Sequence, residues 1–123
     1  MGNIFDKKAE LRQWLEIAEG DLKVAKFLAN NMHPMPVEKI CNDCQQSVEK
    51  DLKGFLFFND IEPPKTHNLI DLLEMCSNIL PSFSNYQKQC RYLTKFAVIP
   101  RYPNDLQLTD DDAKAAIRFA EDI

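Results

Sequence analysis

Glycine is scarce in this chain, with 3 in 123 residues, too few for the tight turns of a hairpin-rich protein. No run approaches the ~18 apolar residues of a membrane span. No strand-like alternation, internal repeat or low-complexity segment occurs either. Acidic residues are missing from the whole interval between Glu74 and Asp105, and the only histidines are His33 and His67. A net charge of −4 gives no global attraction to nucleic acid or to a membrane. Four cysteines with no signal peptide read as reduced thiols. The opening Met1 to Asp6 lacks the Ser or Thr of a myristoylation pattern. The expectation is a cytoplasmic protein with no membrane attachment.

What is present is helical periodicity. The chain is 45% hydrophobic, enough for one core in a single domain over residues 1–123. Ile40, Cys44, Val48, Leu52 and Phe55 recur at helical spacing, with Val37, Cys41 and Leu56 widening the stripe. This predicts an amphipathic spine from about Pro36 to Asn59, closed by Asn59-Asp60 and Pro63-Pro64. Ahead of it, Leu11, Trp14, Leu15, Ala18, Leu22, Ala25 and Leu28 predict a helix over about 6–30, capped near Asn30-Asn31.

Downstream, Thr66 is placed as the cap of a third helix bearing Leu69, Ile70, Leu72, Leu73 and Cys76. A fourth runs from about Ser82 to Ala97, burying Phe83, Tyr86, Cys90, Leu93 and Ala97. Val98 to Pro103 is a stiff turn, since each Pro biases its predecessor to extended geometry. Thr109 followed by Asp110, Asp111 and Asp112 caps a last helix whose seam is Ala113, Ala116, Ile117 and Ala120. The fold class is therefore all-α: an antiparallel four-helix bundle plus a short fifth helix at the C-terminus.

Chemistry is constrained by charge placement. Lys88, Arg91 and Lys95 fall on one face of the fourth helix, with Arg101 beyond it. Tyr92 and Tyr102 add aromatic faces that could stack on a base. The pattern fits phosphate recognition, and equally a solvated face paired with acidic helices elsewhere. His67 is four residues before Asp71, so it is either a rim contact of a site or a histidine fixing a helix junction. Cys41 and Cys44 have C-x-x-C spacing, but both lie on the spine's apolar stripe and lack further paired ligands. They read as small core residues, with no metal and no cofactor. Gln45, Gln46, Glu49 and Lys50 sit on the spine's other face. They need either water or partners across a junction, and Glu49 can pair with Lys53 four residues on.

Three segments occur in order: Gln45-Gln46 with Glu49-Lys50 and Lys53, then Lys65-Thr66-His67-Asn68-Leu69, then Arg101-Tyr102-Pro103. In these the chain resembles the HEPN domain family, of the stand-alone prokaryotic kind, from about Trp14 to Ala120. The resemblance implies a homodimer and nucleotide or RNA binding. Many HEPN proteins are ribonucleases with an Arg followed after four to six residues by a His. That motif is absent, because neither His33 nor His67 has an Arg at the required distance. Arg101-Tyr102-Pro103 matches the subgroup without established catalysis.

The leading expectation is thus a non-catalytic HEPN protein that binds the phosphate of a nucleotide or RNA. Its contacts would be Arg101 and Tyr102 with Lys50 or Lys53, supported by His67 and Arg91. Family members of this type are often encoded beside a minimal nucleotidyltransferase, resembling toxin–antitoxin pairs, so such a protein is an expected partner. Two alternatives stay open: a metal-independent ribonuclease with a displaced set (Arg101, Tyr102, His67), and a purely structural protein-interaction module.

Overall fold

The computed structural model describes residues 4–97 and 108–123, with side chains from Asp6 onward. The expected turn at Val98 to Pro103, with Arg101 and Tyr102, lies outside the described residues. Among those described there are five α-helices and no strand. They are α1 (Ile4–Asn31), α2 (Val37–Phe58), α3 (Leu69–Ile79), α4 (Gln87–Thr94) and α5 (Asp110–Asp122). None of these helices is long and apolar enough to cross a membrane.

α2 is the centre of the bundle, packing on α1, α3, α4 and α5. Its apolar stripe explains this: Ile40, Cys41, Cys44, Val48, Leu52 and Leu56 are all completely buried. It is not the longest helix, since α1 has 28 residues against 22. α1 and α2 approach closely where Gly54 lies on α2. A Cβ built there would come within 2.9 Å of the Trp14 Cβ, so only glycine lets the two backbones come so near. Asn59 ends α2 as expected, its side-chain amide donating to the Phe55 carbonyl at 2.8 Å. Asp60 follows at φ 64°, a left-handed conformation that Asp tolerates better than most residues.

The remaining helices show where local chemistry was misread. α3 is capped by Asn68, whose side chain accepts from the Ile70 and Asp71 backbone N–H groups. Thr66 acts one step earlier, its hydroxyl accepting from the Asn68 N–H at 3.1 Å. The expected fourth helix is divided. Pro81–Tyr86 is a 3-10 turn, and α4 begins only at Gln87. Pro81 opens that turn, and the Phe83 ring inserts against Phe55 at 4.5 Å between centroids, a contact with α2 that competes with regular helix. Cys90 and Leu93 are buried as expected, whereas Phe83, Tyr86 and Ala97 are half-buried. Leu11, Trp14, Leu22 and Phe55 are also only half-buried, and Leu15 is exposed. α5 carries the expected cap: Thr109 and Asp112 form a reciprocal capping box. Its Ala113, Ala116 and Ala120 are buried, small enough for close contact with α2.

Candidate functional site

Because α2 is covered on nearly all sides, its polar face is also largely buried. Glu49 has no exposed surface at all, nor does Gln45, and Lys53 retains only 7%. An isolated carboxylate in such a place would cost several kcal/mol or more, so its partners decide whether it can exist there. Glu49 Oε1 accepts from Gln45 Nε2 at 3.0 Å and pairs with His67 Nδ1 at 3.0 Å. Oε2 accepts from Lys53 Nζ at 3.1 Å and Lys50 Nζ at 3.4 Å. Both oxygens are thus doubly bonded, which uses the full acceptor capacity of the group. Burial pushes the Glu49 carboxyl up, but the bonds from Gln45, His67 and Lys53 together outweigh it and hold the group below its ordinary value.

Positioning follows from helical spacing and from one loop. Gln45, Glu49 and Lys53 are successive i, i+4 neighbours and so line one ridge of α2. His67 comes from the connection between α2 and α3, and Gln45 Nε2 fixes that connection by donating to the His67 carbonyl at 3.1 Å. Gln46 Nε2 donates in turn to Gln45 Oε1 at 3.0 Å. His67 therefore precedes α3 and bonds Glu49, rather than lying in its first turn opposite Asp71. Its side chain is 61% exposed. With Nδ1 engaged by the carboxylate, Nε2 is the ring atom left to meet a ligand. Lys50 and Lys53 share this one carboxylate, and a second carboxylate, Asp21, lies close enough to feel the Lys50 charge.

Beside this cluster lies an open groove of about 920 Å³ that includes Lys53 in its lining. Trp14, Phe57, Ile61, Pro63 and Pro64 form its apolar wall. Its rim mixes Lys7 and Lys65 with Glu10, Asp60 and Glu62, and Lys7 is held by Asp60 at 2.7 Å. Trp14 was expected simply as core. It lines the groove instead, and its Nε1 is buried with no hydrogen-bond partner among the described residues.

Of the residues expected at a site, the structure brings Lys50, Lys53 and His67 together on Glu49. Arg91 is elsewhere, in a smaller cleft of about 320 Å³ with Ile70, Glu74 and Ser77. The expected basic face of α4 is also divided: Lys95 lies 4.3 Å over the Tyr92 ring and Lys88 5.6 Å over the Phe119 ring. Tyr92 is no free stacking surface. Its hydroxyl donates to the Asp112 carboxylate at 2.9 Å and its ring packs edge-on against Phe96 and Phe119, tying α4 to α5. Arg101 and Tyr102 fall outside the described residues. Just before them, Asn42 Nδ2 donates to the Phe96 and Ala97 carbonyls at 2.8 and 3.3 Å. These bonds hold the Phe96 and Ala97 backbone against α2 at Asn42, within a turn of Gln45 and Gln46.

The four cysteines are buried free thiols, and burial raises the Cys41 and Cys76 thiols to about 12. Among the described residues no group of three or more His, Cys, Asp or Glu is placed to hold a metal ion. What sequence reading missed is the buried carboxylate itself. Glu49 was seen as a partner of Lys53, which it is, but not as the centre of four bonds. The available signal was the i, i+4, i+8 run of Gln45, Glu49 and Lys53 on a helix flanked by apolar residues on both sides.

A family model for the HEPN domain matches residues 11–123, nearly the whole chain. Neither the curated proteins nor the solved structures contain a match.

Proposed function

The chain belongs to the HEPN family, and from that premise we propose that it binds the phosphate of a nucleotide or RNA at the Glu49 cluster without cleaving it. The observation that carries this reading is the fully buried Glu49 with Lys50, Lys53 and His67 around it. The carboxylate holds the cations at fixed positions. Preorganised cations lose little freedom when an anion arrives, which is what a phosphate site requires. His67 Nε2 and Lys50 provide the exposed contacts, with Lys53 behind them. The adjoining groove offers an apolar wall for a base and acidic groups for sugar hydroxyls or amino groups. Arg101 and Tyr102 complete the site as a bidentate phosphate ligand and a stacking face. A separate minimal nucleotidyltransferase is the partner protein of this reading.

Calorimetric titration with a nucleoside triphosphate and with a short RNA tests it. Saturable binding at low salt should weaken steeply as salt rises. Arg101→Ala and His67→Ala should each weaken binding, the former by about 1.5–3 kcal/mol. No saturable binding to either ligand at low salt would remove the proposal.

One observation favours a second reading. Glu49 bonded to His67 Nδ1 is a carboxylate–imidazole pair with Nε2 turned toward a ligand, an arrangement suited to a general base. Incubation with labelled RNA in chelator separates the two. Intact RNA supports binding alone, and cleavage abolished by His67→Ala would establish the ribonuclease.

A further inference from the structure

The groove beside the Glu49 cluster differs in character from the cluster itself. Carboxylates outnumber lysines in its lining among the described residues, so a phosphate is held better at Lys53 and His67 than along the groove. Lys53 and Gly54 are neighbours in sequence, and Gly54 lies against the Trp14 Cβ. The cation end therefore adjoins the aromatic wall. A nucleotide whose phosphate lies at Lys53 carries its base toward Trp14. At about 920 Å³ the groove has room for that base together with its sugar.

The carboxylates of the rim then decide which base is accepted. Asp60 is taken by Lys7. Glu10 lines the groove and makes no ion pair or hydrogen bond through its side chain among the described residues. It stands one helical turn before Trp14, on the same face of α1, so a flat ring set against the indole presents its edge to Glu10. A carboxylate brings two acceptor oxygens and no donor. Guanine carries two adjacent donors on its pairing edge, N1–H and the 2-amino group, which a carboxylate accepts as two parallel charge-assisted bonds. Adenine and cytosine set a ring-nitrogen acceptor beside a single amino group, and uracil flanks its one N–H with two carbonyls. Each of these turns a lone pair toward the carboxylate, and acceptor facing acceptor is repelled. We propose that the Trp14 groove selects guanine, with Glu10 accepting from N1–H and the 2-amino group. The inference rests on the reading that a nucleotide phosphate is held at the Glu49 cluster, and adds to it the identity of the base.

Calorimetric titration of the full chain with GTP, ATP and ITP at low salt tests it. GTP should bind about tenfold or more tighter than ATP, the worth of hydrogen bonds to a charged group. ITP, which lacks the 2-amino group, should fall between them. Glu10→Ala should remove the preference for GTP without weakening ATP. Glu10 is exposed, so the variant should fold as the parent does, which circular dichroism melting checks. Trp14 is the only tryptophan, and its fluorescence should change as GTP saturates the site. Equal affinity for GTP and ATP overturns the proposal, as does a preference that survives Glu10→Ala; either leaves phosphate binding standing. Tryptophan fluorescence unchanged at saturating GTP also overturns it, because the base would then lie elsewhere. No binding of any of the three, nor of a short RNA, overturns this proposal and the phosphate reading together.

Discussion

The middle of α2 and the outer face of α1 are opposites. The first buries a glutamate, a glutamine and a lysine, and the second exposes an isoleucine, a valine and a phenylalanine. By composition each would be assigned to the other environment. The contrast shows that a helix's place in the bundle, not its amphipathic pattern alone, decides what is covered. α2 is enclosed from several sides, so its polar ridge must find partners inside the chain, and it does. α1 turns Ala18 and Ala25 to the core, and its second apolar stripe is exposed among the described residues.

The contrast is broken most severely by Glu49→Ala. It leaves the Lys53 ammonium, with 9% of its side chain exposed, without the one counter-charge that the described residues give it. The expected loss is about 3–5 kcal/mol, the range for removing one partner of a buried ion pair. Urea unfolding measures it. A loss below about 1 kcal/mol would mean that Lys53 escapes to water and the cluster is loosely held.

Two carboxylates on the same helix respond oppositely to pH. Glu49 is held below its ordinary 4.5 in the fold, so its stabilisation is complete above that value. It is lost as pH falls through the folded pKa. Asp51 makes no comparable bonds, and burial alone pushes it from 3.8 up to about 6. Its contribution is full below 3.8 and is lost as pH rises toward about 6. Asp51→Asn keeps the neutral shape and removes the penalty. It should stabilise the protein at pH 7 by up to about 2 kcal/mol, with the gain vanishing near pH 3.5. An equal gain at both values would point to packing rather than ionisation.

α2 was legible from period alone because its stripe, from Ile40 to Leu56, is continuous. The cap at Thr109 was legible because its partner Asp112 is three residues away. Contacts between distant segments were not. His67 bonds a residue 18 positions earlier, and the Phe83–Phe55 stacking that accompanies the 3-10 turn joins residues 28 apart; neither has a periodic signature. Lys50, Lys53 and His67 were all selected from the sequence. Glu49, which gathers them, was read only as a neighbour of Lys53, because a carboxylate four residues before a lysine usually lies on a wet surface. The outer stripe of α1 was hidden by the stronger inner one, as Ile17, Val24 and Phe27 fall between its members.

Glycines on the two helices sharpen the comparison further. Gly54 faces the Trp14 Cβ, an atom fixed to the α1 backbone that cannot swing aside as the end of a long side chain could. Gly54→Ala would place a methyl group 2.9 Å from it, so α1 must move. The expected cost is about 1–3 kcal/mol, as for other overpacked sites. Trp14 is the only tryptophan, so its fluorescence should shift in the same variant and report the displacement directly. An unchanged spectrum with unchanged stability would show that the helices can separate at no cost.

The smallest effect has the opposite sign. Gly20→Ala adds a methyl group where nothing lies within 4 Å, and it restricts the unfolded chain. In the monomer this should stabilise the helix by about 0.5–1 kcal/mol, the usual difference between alanine and glycine within a helix. Unfolding should be measured at the lowest workable concentration, where association contributes least. A loss of monomer stability would mean that the space beside Gly20 is occupied within the chain itself.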